Sequence, residues 1–252
     1  MVELVTTPDR VPHRLINIQN FTKQYGTVAA VDNVSFSVWE GEILGLIGPN
    51  GSGKTTLFEC LGGVRPADRG VVLQNQHPLT AKQRSTLLFY MPDGIAPWPA
   101  QTVMWALDFM QGIFGGCSSL RNEVSLALDL RPLLGRRMGV LSKGQLKRVL
   151  LAIGLMMPQP LLIADEPFEG LDLRQTREIG LALRSHSAIH KRTILLSIHQ
   201  ISDAARVCDR FVLLSAGKMC GEGTLDQLSA LAKSQGRTPA AADLEEVFLA
   251  LT

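Results

Sequence analysis

The sequence predicts an α/β fold with a largely parallel sheet, and three short apolar runs carry that expectation. Ile43-Leu44-Gly45-Leu46-Ile47, bounded by Gly41 and Gly48, is apolar throughout, as a strand covered on both faces is. Leu161 to Ala164 and Thr193 to Ser197 are runs of the same kind. Each of those two comes after a helix-compatible stretch, the alternation expected of strands joined by helical crossovers. Upstream, Leu15-Ile16-Asn17-Ile18 and Val34-Ser35-Phe36-Ser37-Val38 alternate apolar with polar or small residues, the period of half-buried strands.

Between the buried runs, Gln101 to Leu141 has little β-branched content and reads as a helical lobe broken at Gly115-Gly116 and Pro132. Thr224 with Gln227 three residues later forms a capping box for a helix reaching about Ser234, and Gly236 to Pro239 breaks it. A last helix, Leu244 to Leu251, places Leu244, Val247, Phe248 and Leu251 on one face.

Bulk composition excludes several classes of function. A chain of 252 residues with 46% hydrophobic content has ample material for a core. Its formal charge of +2 provides no broad basic field, so no nucleic-acid partner is expected. Cys60, Cys117, Cys208 and Cys220 are scattered, which predicts free thiols and neither a disulfide framework nor a zinc site. The most apolar stretch, Val149 to Ala164, is interrupted by Pro158 and Pro160 and falls short of the roughly 20 residues that span a bilayer. The first residues carry acids and prolines, unlike a secretion signal.

The chemistry begins directly after the first buried run. Gly48-Pro49-Asn50-Gly51-Ser52-Gly53-Lys54-Thr55 fits G-x-x-x-x-G-K-[ST], with a helix-compatible run, Thr56 to Leu61, behind it. Such glycines let successive N–H groups turn inward onto phosphate oxygens, and the helix N-terminus adds positive potential there. Lys54 is placed to reach the β- and γ-phosphates and Thr55 to ligate Mg²⁺. Asp165-Glu166 ends the buried run Leu161 to Ala164, the edge of a sheet where ligands bind in such folds. Asp165 is the candidate metal holder and Glu166 the candidate general base, with a plain helix-capping role as the alternative for either.

Taken with three further segments and an aromatic, these residues resemble the ABC ATPase family. Leu141-Ser142-Lys143-Gly144-Gln145 is similar to its signature sequence, Gly170-Leu171-Asp172 to its D-loop, and Ser197-Ile198-His199-Gln200 to its switch-histidine segment. Tyr25 matches the aromatic that stacks on adenine. Order and spacing agree from about Leu15 to Gly223. The resemblance implies a P-loop NTPase with a RecA-like core, an N-terminal antiparallel β subdomain and an inserted helical lobe at about 98–150. The ATPase domain then covers 14–223, with a tail at 1–13 and a helical extension at 224–252.

The resemblance further implies ATP and Mg²⁺ as ligands, with ATP bound by Tyr25, residues Gly48 to Thr55, and Thr56. Glu166 and His199 are the implied catalytic residues. Ser142, Lys143, Gly144, Gln145 and Asp172 are implied to act across a dimer, on nucleotide held by a second ATPase subunit. Separate membrane-spanning permease subunits are the implied partners, at the cytoplasmic face of a membrane. A soluble ABC ATPase, as in iron–sulfur assembly, is the competing expectation. The terminal Leu244-Glu245-Glu246-Val247-Phe248-Leu249 resembles the ending of export-type members and favours export.

Two positions depart from the family pattern. Lys143 replaces the second glycine of the signature, where a side chain can point outward. Asp93, in Tyr90-Met91-Pro92-Asp93, stands where the family has glutamine, and Gln101 is the alternative if the register slips. An ionised aspartate only accepts hydrogen bonds and is repelled by a triphosphate. Asp93 is therefore expected either on Mg²⁺ with Thr55 and Asp165, the favoured role, or withdrawn from the phosphates.

Overall fold

The computed structural model describes residues 13–115, 117–237 and 243–252. The expected tail, apart from its last residue, and part of the break at Gly236 to Pro239 lie outside them.

Two long strands, β1 (Arg14–Tyr25) and β2 (Val28–Trp39), pair antiparallel and are joined by β4 (Arg69–Gln74) and β5 (His77–Pro78) in the order β2-β1-β4-β5. Ile16, Ile18, Val34, Phe36 and Val38 are buried, as the alternating pattern required. Both strands extend beyond their predicted runs.

A second sheet has the order β10-β9-β3-β8-β7-β6. Here β3 (Ile43–Ile47) lies between β8 (Thr193–Ile198) and β9 (Arg210–Ser215), and β7 (Leu161–Ala164) lies between β8 and β6 (Leu88–Met91). These neighbours all run parallel, and only β10 (Lys218–Gly223) is antiparallel at its edge. Along β3, Ile43 and Ile47 join one hydrophobic core while Leu44 and Leu46 join the other. That two-sided burial explains why the strand is apolar at every position.

Helix α1 (Lys54–Leu61) lies between the two sheets, with Leu57, Phe58 and Leu61 fully buried. After α2 (Ala81–Leu87), the lobe consists of α3 (Val103–Phe114), α4 (Ser118–Ala127) and short 3₁₀ turns at Arg131–Leu133 and Met138–Val140. It returns through α5 (Lys143–Met156), which runs past the expected lobe boundary at 150 without a break. The remaining helices are α6 (Leu173–His190), α7 (Ile201–Val207), α8 (Leu225–Ser234) and α9 (Leu244–Leu251). The capping box of Thr224 and Gln227 is formed, and the predicted apolar face of α9 is buried in full. Among the described residues, no helix is long and apolar enough to cross a membrane.

Candidate active site

Parallel register gathers the site. Met91 pairs with Ala164, Ala164 with Leu196, and Ile47 with Ile198, so β3, β6, β7 and β8 end side by side. The residues just past those ends are Gly48, Asp93, Asp165, Glu166 and His199. Around them is a cleft of about 410 Å³ lined by Ala30, Asn50 to Thr56, Asp93, Glu166, Glu169 and His199. That volume suits a small ligand.

The glycine-rich loop is built by close packing. A Cβ on Gly48 would sit 2.2 Å from the Leu214 carbonyl oxygen, and one on Gly53, at φ +102°, would sit 2.1 Å from that of Ala30. Gly53 is the N-cap of α1, so no side chain caps this helix and its first turn holds no acid. Its leading N–H groups are left for an anion, which is how a helix N-terminus binds phosphate.

Lys54 is buried. Its Nζ donates to the carbonyls of Gly48 at 2.8 Å and Pro49 at 3.3 Å, and lies 3.3 Å from Glu166 Oε1. The other Glu166 oxygen, Oε2, is 2.7 Å from His199 Nδ1. The Glu166 backbone occupies the left-handed region at φ 46°, and its N–H donates to Ser197 Oγ at 2.8 Å. A non-glycine residue held there is strained, a feature concentrated at functional turns. The capping alternative fails for both acids, whose carboxylates are engaged with other elements.

Asp165 is fully buried, and its Oδ1 accepts from Ser197 Oγ at 2.5 Å. Burial raises its pKa against the lowering effects of Ser197 and Thr55. Oδ2 is buried without a hydrogen-bond partner. An orphaned carboxylate oxygen beside a threonine hydroxyl is the donor chemistry that Mg²⁺ takes, so Thr55 and Asp165 fit a metal there.

Asp93 lines the cleft and Gln101 does not. The cation that offsets Asp93 belongs to the protein. Lys147 Nζ, from α5, lies 2.5 Å from Asp93 Oδ1 and donates to the Glu166 carbonyl, also at 2.5 Å. Burial pushes the Asp93 pKa up, but the bond and charge of Lys147 outweigh it and hold the acid below its ordinary range. The expectation of direct metal ligation rested on a missing counter-ion, and Lys147 removes that reason.

The signature residues lie outside the cleft lining. Ser142 is the N-cap of α5: its Oγ accepts from the Gln145 N–H at 3.3 Å, and the Gln145 side chain accepts from the Ser142 N–H at 3.1 Å. Lys143 points outward to Glu169, 3.1 Å away. Gly144 is buried against Leu171 and Gln175. Asp172 caps α6 through the Gln175 N–H at 2.8 Å. Tyr25 is 44% exposed, outside the lining, with the Lys23 and Arg65 cations 5.6 and 5.9 Å from its ring centre.

Sequence reasoning missed Lys147, Ser197 and Glu169. A signal for Lys147 did exist: it stands three residues after Gly144 and three and four before Leu150 and Leu151, on the buried face of α5. A lysine on such a face needs a counter-ion. Another gathering of ligating groups, Glu123, His186 and His190, lies apart from the cleft on α4 and α6.

A family model described as ABC transporter matches residues 31–169. The probable multidrug ABC transporter ATP-binding protein YbhF of Escherichia coli is 32% identical over 222 residues, covering 86% of this chain but 38% of its own length. The chain thus spans well under half of that relative. The SkfA peptide export ATP-binding protein SkfE of Bacillus subtilis is 31% identical, covering 82% of this chain and 87% of that protein. A probable sulfate/thiosulfate import ATP-binding protein, CysA of Chlorella vulgaris, is 32% identical over 85% of this chain and 93% of its own. A solved structure of an ATP binding subunit of an ABC transporter matches with a TM-score of 0.81 and 27% identity, covering 94% of this chain and 99% of that one.

Proposed function

From the premise that this chain belongs to the ABC transporter family, we propose that it is an ATP-hydrolysing subunit that dimerises around two ATP molecules and drives transport through separate membrane-spanning subunits. The observation that carries the reading is the Glu166 carboxylate held between Lys54 and His199 at the mouth of the phosphate loop.

In this reading the N–H groups of the loop and of α1 bind the phosphates, and Lys54 turns from Glu166 onto the β- and γ-oxygens. Glu166, released, takes the proton of the attacking water as general base, while His199 holds the γ-phosphate and orients that water. Thr55 and Asp165 would hold Mg²⁺, which would supply positive charge to offset that of the phosphate oxygens. Tyr25 carries adenine on its exposed ring. Glu166→Gln tests the assignment: turnover of ATP by the purified protein should drop roughly 10²–10⁴-fold with nucleotide binding retained. Turnover within about twofold of wild type would remove Glu166 from the role.

The surface for a membrane partner lies on the lobe. Trp98, Trp105 and Phe109 cluster, with Trp105 and Phe109 stacked at 4.7 Å, and Phe114 meets Phe89 edge-on at 6.1 Å. Trp105, Phe109 and Phe114 are more than a third exposed, while Met110 is spent on the core. Exposed aromatics grouped in this way suit the docking of an apolar helix end, at the cytoplasmic face of a membrane. Named relatives include both an export and an import protein, so direction rests on the C-terminal segment, and we assign export. Co-purification from detergent-solubilised membranes tests the partner: a stoichiometric multi-span protein is expected, and its absence would favour a soluble ATPase.

A further inference from the structure

We infer that Lys147 is a positioning residue for hydrolysis: its ammonium, lodged between the Asp93 carboxylate and the Glu166 carbonyl, fixes the turn that presents the general base and neutralises an acid facing the phosphates. The inference rests on the reading of Glu166 as that base.

The Lys147 side chain is 6% exposed. A buried ammonium persists only where its N–H groups and charge are matched. Both matches lie at the site, with Asp93 Oδ1 and the Glu166 carbonyl each 2.5 Å away. Each has a separate consequence.

The first concerns the base. Glu166 sits at φ 46°, a conformation that an L-residue keeps only when its surroundings impose it. Its N–H is tied to Ser197 and its carbonyl to Lys147, so the residue is held on both sides and its carboxylate is aimed at Lys54 and His199. Without Lys147 the carbonyl keeps only the longer bond from the Glu169 N–H, at 3.2 Å. The geometry on which proton abstraction depends then loosens, although the carboxylate itself is untouched.

The second concerns Asp93. It lines the same cleft as the phosphate loop. An unpaired carboxylate there repels a triphosphate, and with Lys147 in place the pair is neutral. Lys147 also lies five residues beyond Ser142 on one continuous helix, about 7.5 Å along its axis. A load on the helix N-terminus therefore reaches the Glu166 turn of the same chain through one side chain.

The test separates these effects by steady-state ATP hydrolysis at saturating Mg²⁺. Lys147→Gln should lower kcat at least tenfold and raise KM about tenfold, since Asp93 is then unpaired. Adding Asp93→Asn should bring KM back to within about threefold of wild type and leave kcat low. A merely structural lysine would not give that split, because its loss would move both parameters together and Asp93→Asn would not rescue either. Asp93→Asn alone covers the case in which Lys147→Gln fails to fold; an unchanged or lower KM is expected, and a tenfold rise would overturn the pairing argument. Lys147→Gln with wild-type kcat and KM would overturn the proposal outright. Glu166→Gln assayed alongside keeps the two readings apart: if it is inactive while Lys147→Gln is normal, only the role of Lys147 falls.

Discussion

At the residue scale, the cleft is organised around exchangeable charge pairs. Lys54 neutralises Glu166, and Lys147 neutralises Asp93. The site thus tolerates two carboxylates beside a loop built to bind a polyanion. Lys54→Ala removes the cation that reaches into the loop but spares the backbone N–H groups, so nucleotide affinity and turnover should both fall. Titration with a fluorescent ATP analogue checks the first, and unchanged binding with unchanged turnover would mean that the loop is not the site. Asp93→Asn carries a different expectation. With Lys147 as counter-ion, the aspartate has no need of a metal, so the Mg²⁺ dependence of hydrolysis should superimpose on that of the wild type. A raised Mg²⁺ requirement would return Asp93 to the metal's shell.

At the scale of elements, what was legible in the sequence was what carried either a strict period or a motif. The buried strands β3, β7 and β8 announced themselves by unbroken apolar runs, and α8 by a complete capping box. Strand β4 is exposed over its first half and so shows no alternation to read. Strand β6 is a four-residue piece that begins where α2 ends, too short for its period to stand out. Gly48, Asp93, Asp165, Glu166 and His199 were legible because they follow strand ends closely, whereas the Asp93–Lys147 bond joins positions that only the packing of α5 against the sheet brings together. A second buried polar group of the helical layer carries an expectation for the response to acid. On α6, burial and the neighbouring His190 and Arg192 push the His186 pKa down to about 4, against a small opposing effect of Glu123. Its unfolded value is near 6.5, so between these values the unfolded chain binds more protons and stability falls as pH drops from about 6.5 toward 4. Thermal melts across that window should show His186→Phe with a shallower loss of Tm than wild type. Parallel slopes would assign the acid sensitivity elsewhere.

At the scale of the whole molecule, the proposed dimer would divide each hydrolytic site between two chains. The phosphate loop, Glu166 and His199 share a cleft that Ser142 does not line. Ser142 opens α5, a helix of 14 residues with no acid in its first turn. That N-terminus is suited to an anion, and the hydroxyl of Ser142 is placed to serve it once the cap bond to Gln145 is shared. If the anion is the γ-phosphate held by a second subunit, the two defects should complement. Ser142→Arg places bulk and charge at the docking surface and leaves the cleft of its own chain intact, so it should bind nucleotide normally and hydrolyse it poorly. Lys54→Ala spoils the cleft and leaves α5 intact. Each variant alone forms dimers with no complete site. A mixture forms one complete site per mixed dimer, from the cleft of the Ser142→Arg chain and the helix of the Lys54→Ala chain. Mixing should therefore restore activity, up to about a quarter of the wild-type rate when the chains pair at random and one site turns over alone. Normal turnover by Ser142→Arg on its own would refute the shared site. A mixture no more active than its components would mean that both sites must be complete before either fires.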